Sequence, residues 1–249
     1  MQDPADLVRF YEEAYSHGPE LGALYARWRA VGAVGKADHV IALSARAVPS
    51  PSSTLEIGCG DGALLVEFAR RGFGGVLRGV EITQAAVDIA RERPGIESVE
   101  LYDGLHLPAA SGAYELGVIS HVLEHVPDPA LLLAEAARVC RAVVIEVPLE
   151  QNWSARRAHK REHAVQVGHL QRMDREAIRR VVQSAGLRVE AELEDPLPLR
   201  VHLFFTDTAS ARASASAKWA VRASLHRVAP ALARRLFTVH YAALCLQPA

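Results

Sequence analysis

The sequence predicts an α/β fold in which a doubly wound, mostly parallel sheet is covered by helices on both faces. Three observations carry that expectation. Short runs rich in Val, Leu and Ile alternate with amphipathic segments of helical period from residue 54 onward. The first run enters a glycine turn, Leu55-Glu56-Ile57-Gly58-Cys59-Gly60-Asp61-Gly62. The next two runs close on acidic residues, Glu81 and Asp103. Strand ends of a parallel sheet meet at one edge, so these features converge where such sheets bind ligands.

Residues 5–47 read as helix. Leu7, Phe10, Tyr11 and Tyr15 recur at helical spacing, as do Val40, Ile41 and Leu43, and Gly18-Pro19 divides the stretch. Pro49-Ser50-Pro51-Ser52-Ser53 is a linker. Strands are expected at 54–57, 76–81, 98–102, 114–120, 141–147, 187–193 and 237–246. Helices are expected at 63–70, 84–91, 129–139 and 174–185, the last stopped by Gly186.

Two stretches break the rhythm. Residues 148–173 are polar and rich in Arg and His, and are expected to form a pocket wall carrying His159 and His163. Residues 196–236 fill a connection that needs far fewer residues. Within it Val221, Leu225, Val228, Leu232 and Leu236 form an apolar helical stripe beside Lys218, Arg222, Arg227, Arg234 and Arg235, and Pro230 interrupts or restarts the helix. The expected organisation is one domain over 1–249. It comprises a helical lid (1–48), a core (49–195), a helical insert or cap (196–236) and a last strand (237–249).

With 249 residues, half of them hydrophobic, the chain can build a large core. Its net charge of −1 gives no overall attraction to nucleic acid. The charge is unevenly placed: residues 151–235 carry a net +8 and the remainder a net −9. The basic part faces an anionic substrate, a partner or solvent. Cys59, Cys140 and Cys245 lack metal spacing and suit a reducing, cytoplasmic setting. No basic stretch followed by an apolar core opens the sequence, so no leader is expected, and no apolar run is long enough for a transmembrane span.

Glycine lacks a Cβ, so the Gly58-x-Gly60-x-Gly62 turn can take positive φ and let a ligand lie on the backbone, with the N–H groups of the following helix pointing at it. The spacing differs from the Gly-x-Gly-x-x-Gly of dinucleotide binding. Glu81, about twenty residues on, is placed to accept from both hydroxyls of a ribose. After the fourth strand come Val118-Ile119-Ser120-His121-Val122-Leu123-Glu124-His125-Val126-Pro127-Asp128-Pro129, and later Gly168-His169-Leu170 and Ser184-Ala185-Gly186-Leu187.

With these motifs, residues 35–195 resemble a class I S-adenosylmethionine-dependent methyltransferase of the small-molecule, type 11/23-like group. The resemblance implies a Rossmann-like, seven-stranded sheet whose last strand is antiparallel and inserted between the fifth and sixth. It implies that Gly58, Cys59, Gly60 and Gly62 pass beneath the methionine part of S-adenosylmethionine and that Glu56 orders the loop or reaches the amino group. Glu81 then holds the ribose, Ile82 packs on the adenine, and Asp103 meets its amine with Gly104 and Leu105 beside it. Ser120 and His121 border the methionine chain near the sulfonium. The product would be S-adenosylhomocysteine.

The activated methyl comes with the cofactor, so the protein must align an acceptor and, for a hydroxyl, provide a base. His125 and His121 are the candidates beside the methyl, followed by His169. His121-Val122-Leu123-Glu124-His125 also matches an inverted zinc-peptidase pattern, but a strand runs into it and Pro127 and Pro129 follow, so no long helix presents both imidazoles and no metal is expected. Tyr11, Tyr15 and Trp28 are lid candidates, with core packing the plainer role for Trp28. The insert at 209–235 is read first as a substrate cap, with a dimer arm or a membrane-surface helix as alternatives. The expected activity is methyl transfer to a small molecule, most simply to a hydroxyl of a sugar or natural product. An N-methyltransferase and a non-catalytic cofactor-binding module remain open. No Asn/Asp-Pro-Pro-aromatic tetrad for gripping a flipped base follows the fourth strand, which argues against nucleic acid as substrate. A monomer and a homodimer are both compatible with the sequence.

Overall fold

The computed structural model describes residues 4–16 and 18–248, and the side chains of 4–7 and 19 are outside what it describes. The Leu7 position of the first helical stripe falls among these. Helices α1 (Pro4–Tyr15) and α2 (Pro19–Ser44) precede the sheet. Then come β1 (Ser53–Ile57), α3 (Ala63–Arg70), β2 (Val76–Glu81), α4 (Gln84–Arg91), β3 (Ser98–Leu101), β4 (Tyr114–Ser120), α5 (Pro129–Val139) and β5 (Cys140–Pro148). The second half holds α6 (Ala158–Gln166), α7 (Arg175–Ser184), β6 (Arg188–Asp195), α8 (Leu199–Leu203), α9 (Ala209–Val228), α10 (Pro230–Leu236) and β7 (His240–Leu246).

The strands form one sheet in the order β3-β2-β1-β4-β5-β7-β6. β7 pairs antiparallel with both β5 and β6, and the other neighbours pair in parallel. The expected doubly wound sheet with an antiparallel last strand between the fifth and sixth is thus present. The chain enters at β1, runs outward to β3 and returns to β4, so the strand order reverses between β1 and β4. A crevice opens at the carboxyl ends of the strands at such a reversal.

Local chemistry explains the element ends. Gly62 takes φ 75° and starts α3. Asp128 accepts from the N–H groups of Ala130 and Leu131 ahead of Pro129, and Asp174 accepts from Ala177, so both cap their helices. Pro230 restarts the insert helix as α10. Two apolar clusters fill the two faces of the sheet: Ile57, Ile119, Ile145 and Tyr241 on one, Leu65, Phe68, Leu116 and Val144 on the other.

Three features depart from expectation. The polar stretch 148–173 contains a helix, α6, which its weak amphipathicity conceals. A one-turn helix, α8, opens the insert. The apolar stripe of the insert does not turn inward: Val221, Val228 and Leu232 are exposed. The insert instead packs at its start, where Phe204 and Phe205 lie 5.2 and 5.0 Å from the Trp28 ring. Trp219 Nε1 donates to the Leu197 carbonyl at 2.9 Å. Among the described residues, no helix is long and apolar enough to cross a membrane.

Close packing ties the cysteines to glycines. A Cβ on Gly79 would lie 2.6 Å from Cys59 Sγ and 3.1 Å from Leu65 Cδ1, with both neighbours buried. Gly79→Ala is expected to destabilise the fold by about 1–3 kcal/mol through overpacking. Urea unfolding checks this: Cys59→Ala should restore part of the loss by removing the sulfur, and additive effects would contradict the packing account.

Candidate active site

Backbone pairing continues past the strand ends and sets the site. The N–H groups of Gly58 and Cys59 donate to Val80 O, Tyr102 N–H donates to Glu81 O, and His121 N–H donates to Glu146 O at 2.8 Å. The loops after β1, β2, β3 and β4 are thereby fixed around one cavity of about 290 Å³. From the sequence candidates, Gly58, Glu81, Ile82, Asp103, Gly104, Leu105, His121 and His125 line it. Val8, Tyr11 and Tyr15 of α1, Tyr102, Asp128 and the apolar Val122, Val126, Pro127 and Leu132 complete it.

Glu81 is 7% exposed and surrounded by donors. Its Oε2 accepts from Gly60 N–H at 3.0 Å, and its Oε1 accepts from the N–H groups of Ile82 and Thr83 and from Thr83 Oγ1. Burial pushes its pKa up, and the three N–H groups pull the other way. Asp103 orders its own loop: Oδ1 accepts from Leu105 and His106 N–H, and Oδ2 lies 2.9 Å from His106 Nδ1. These bonds hold its carboxyl at about 2. Ile82 Cγ2 faces the open side of Gly104, where a Cβ would lie 3.5 Å away.

The glycine turn divides its work. A Cβ on Gly58 (φ +71°) would meet Val122 Cγ2 at 2.5 Å, and Gly58 is the glycine of the turn that lines the cavity. Gly60 lies under the Tyr15 hydroxyl, and Gly62 packs against Ile96 and Ala90 away from the cavity. Cys59 turns its thiol toward Gly79 and is buried, which pushes its pKa up, so it is no nucleophile. Glu56 is buried behind the loop; burial raises its pKa against the pull of Lys36, and its Oε2 has no hydrogen-bond partner. Ser120 Oγ is likewise buried without a partner.

Helix α1 roofs the cavity. Glu12 Oε1 accepts from Ala85 N–H in the first turn of α4 at 3.1 Å, anchoring the roof to the floor. Tyr15 stacks under Arg29, which pairs with the buried Asp61 at 2.9 Å. The Tyr11 hydroxyl lies 2.6 Å from His125 Nδ1 and donates to Val167 O at 3.2 Å. Gly168 (φ +78°) allows this approach, since a Cβ there would stand 3.2 Å from the Tyr11 oxygen. His125 Nδ1 is also 3.1 Å from Gly168 O. One tautomer satisfies all three contacts: Nδ1–H donates to Gly168 O and the tyrosine oxygen, and the tyrosine donates to Val167 O. That leaves Nε2 with its lone pair, 4.0 Å from Glu124 Oε1. Burial lowers the His125 pKa below 6.5, so the imidazole is neutral at neutral pH.

His121 has a different environment. It sits at φ 59° as the chain turns out of β4. Its Nδ1 is 3.1 Å from Glu124 Oε1 and its Nε2 is 3.1 Å from His240 Nδ1. Burial and Lys36 lower its pKa, but Glu124 and Glu146 outweigh them and the net shift is upward. His169 Nδ1 is 2.7 Å from Glu150 Oε2, and its ring meets the His125 ring edge-on at 4.8 Å. It ties the 150–170 loop beneath His125. The two imidazoles of the His-x-x-Glu-His stretch therefore face different partners and do not converge on one ion.

The expected wall of His159 and His163 is a correction. Both are exposed on α6, and 148–173 reaches the site through the carbonyls of Val167 and Gly168, through His169, and through Leu170 and Gln171, which donate to the Glu124 and Pro127 carbonyls. No residue of the 196–236 insert lines the cavity. Sequence reasoning missed Glu12, Glu146, His39 and His240. Glu146 had a visible signal, a carboxylate inside the apolar run Val143-Val144-Ile145-Glu146-Val147 of a central strand.

A methyltransferase-domain family model matches residues 25–192, and the chain belongs to that family, as a class I S-adenosylmethionine-dependent methyltransferase. It is 38% identical over 108 residues to an uncharacterised 37.1 kDa protein of transposon TN4556 from Streptomyces fradiae, covering 41% of this chain and 31% of that protein. It is 28% identical over 153 residues to a ubiquinone biosynthesis O-methyltransferase of Thiobacillus denitrificans, covering 56% of this chain and 59% of that protein. The chain thus spans from under a third to about three fifths of these relatives' lengths. Among solved structures it resembles geranyl diphosphate C-methyltransferase from Streptomyces coelicolor A3(2), with a TM-score of 0.62 and 16% identity over 86% of this chain and 79% of that one.

The residues present fit the cofactor: a glycine on the cavity wall, apolar Ile82 and Leu105 beside it, and two carboxylates at successive strand ends. Gly58→Ala should lower S-adenosylhomocysteine affinity about tenfold or more, because the added Cβ meets Val122 in a left-handed backbone that costs roughly 1–2 kcal/mol. Isothermal titration measures this, and unchanged affinity would remove Gly58 from the site.

Proposed function

We propose that the protein transfers a methyl group to a hydroxyl of a small natural product or sugar-bearing molecule, with His125 as the general base. The observation that carries this reading is the His125 ring on the cavity wall, pinned through Nδ1 by Tyr11 and Gly168 O, and the tautomer that satisfies those contacts leaves Nε2 unprotonated. When bound, S-adenosylmethionine supplies an activated methyl that needs no further activation by the protein. The protein's part is to hold the acceptor and to remove its proton. Nε2 of His125 takes the hydroxyl proton, and the buried Glu124 carboxylate 4.0 Å away stabilises the imidazolium that forms.

Toward the cofactor, Glu81 holds the ribose through the lone pair of Oε2 that the Gly60 N–H leaves free, and Ile82 and Leu105 flank the adenine. Asp103 meets the adenine amine beside Gly104. Glu56, Cys59, Gly60 and Gly62 support the loop from behind, and Ser120 and His121 border the methionine chain. His169 positions His125 and takes no proton from the acceptor. Val122, Val126, Pro127 and Leu132 make the acceptor end apolar. The O-methyltransferase name of the ubiquinone-pathway relative supports a hydroxyl over an amine.

His125→Ala is expected to cut kcat about 10²–10⁴-fold while leaving S-adenosylmethionine affinity within a few-fold. Release of S-adenosylhomocysteine with phenolic, sugar and amine acceptors is the assay. Because burial lowers the His125 pKa, the neutral base persists to acidic pH, and kcat/KM should fall only below pH 6.5. A variant that keeps wild-type turnover, or an acid limb lying above pH 6.5, would rule His125 out as the base.

A further inference from the structure

Beside the cavity, the carboxyl ends of β4 and β5 and the start of β7 bring three ligand-type atoms together. His121 Nε2 and His240 Nδ1 are 3.1 Å apart, and Glu146 Oε1 is 3.6 Å from the first and 3.4 Å from the second. Register places them there: Ser120 pairs with Glu146, and Pro148 pairs with His240. Ligands held tetrahedrally at about 2.0–2.1 Å from an ion are separated by roughly 3.3 Å. The observed triangle has that size on every edge.

From this triangle we propose that His121, Glu146 and His240 bind one divalent transition-metal ion, of which zinc suits the nitrogen and oxygen donors and the tetrahedral spacing. The surroundings are those of a built site. Glu124 Oε1 lies 3.1 Å from His121 Nδ1, the nitrogen turned away from the triangle. Buried beside His121, the Glu124 carboxylate fixes the ring with Nε2 toward the triangle. The second oxygen of Glu146 is 3.2 Å from His39 Nδ1, and His39 Nε2 is 3.1 Å from Asp195 Oδ2. Each of two ligands therefore has an outer partner that fixes its orientation. Lys36 and His39 on α2 are basic groups facing this cluster, set against the carboxylates Glu124, Glu146 and Asp195. Glu146 is fully buried, while His121 and His240 are partly accessible, which leaves an entry path and an open fourth position. The site stands independently of the choice of acceptor and of His125 as base.

The test uses the untagged full chain, stripped with a chelator and titrated with zinc against a chromogenic competitor, with metal content measured after dialysis. The expected result is one ion per chain, falling about 100-fold in affinity in His240→Gln and Glu146→Gln and unchanged in His169→Ala. Circular dichroism confirms that each variant folds. Cobalt substitution of the unaltered protein gives a readout free of mutation, with the intense visible bands of a tetrahedral site. Less than one tenth of an ion per wild-type chain, no cobalt band, or retention of zinc by a folded His240→Gln variant would overturn the proposal. Loss of zinc in His169→Ala alone would overturn it as well, since that result belongs to the neighbouring Glu124–His125–His169 group.

Discussion

The buried carboxylate of Glu81 is the interaction on which the site depends. Three backbone N–H groups and one hydroxyl converge on it from the loops after β1 and β2. A charge so enclosed is costly unless hydrogen-bonded, so the loops must stay closed around it. The Gly60 N–H holds the glycine turn against the second strand, and the bonds from Ile82 and Thr83 shape the entry into α4. The first turn of α4 in turn takes the Glu12 side chain of the roof helix. Floor, hinge and roof of the cavity are thus connected through one carboxylate and the backbone around it.

A second carboxylate, Glu124, divides the histidines. It faces His121 at 3.1 Å and His125 at 4.0 Å. His121 belongs to a network with Glu146, His240 and His39, and Glu124 and Glu146 raise its pKa against burial. His125 is buried against uncharged partners, Tyr11 and Gly168 O, and keeps a lowered pKa. Two residues four apart in sequence therefore acquire opposite proton affinities, His121 from the carboxylates Glu124 and Glu146 and His125 from its burial against Tyr11 and Gly168.

The elements with strong local signals were readable. The glycine turn, the proline and aspartate starts of α5 and the Gly186 stop marked their elements because local backbone chemistry decides them. Glu81 and Asp103 were legible because strand ends in a parallel sheet share an edge. The rest depended on distant contacts. Nothing near His125 in sequence announces Tyr11 or Gly168, and nothing near His121 announces His240. Helix α6 has little apolar periodicity, and α8 is a single turn of five residues. The Val221–Leu236 stripe marked an amphipathic helix, yet the insert packs through the Trp28–Phe204–Phe205 contact ahead of α9 and through Trp219, leaving Val221 and Val228 at the surface. Periodicity showed that the helix is amphipathic but carried no information about what covers its apolar side.

The central claim is that the donor lies along the carboxyl edge with its sulfur toward His125. A crystal structure of the protein with S-adenosylhomocysteine tests it most directly. The account predicts the adenine between Ile82 and Leu105, the ribose hydroxyls on Glu81 and the sulfur on the His121–His125 side of Gly58. A ligand bound outside this cavity, or one whose sulfur points away from His125 toward α4, would contradict it.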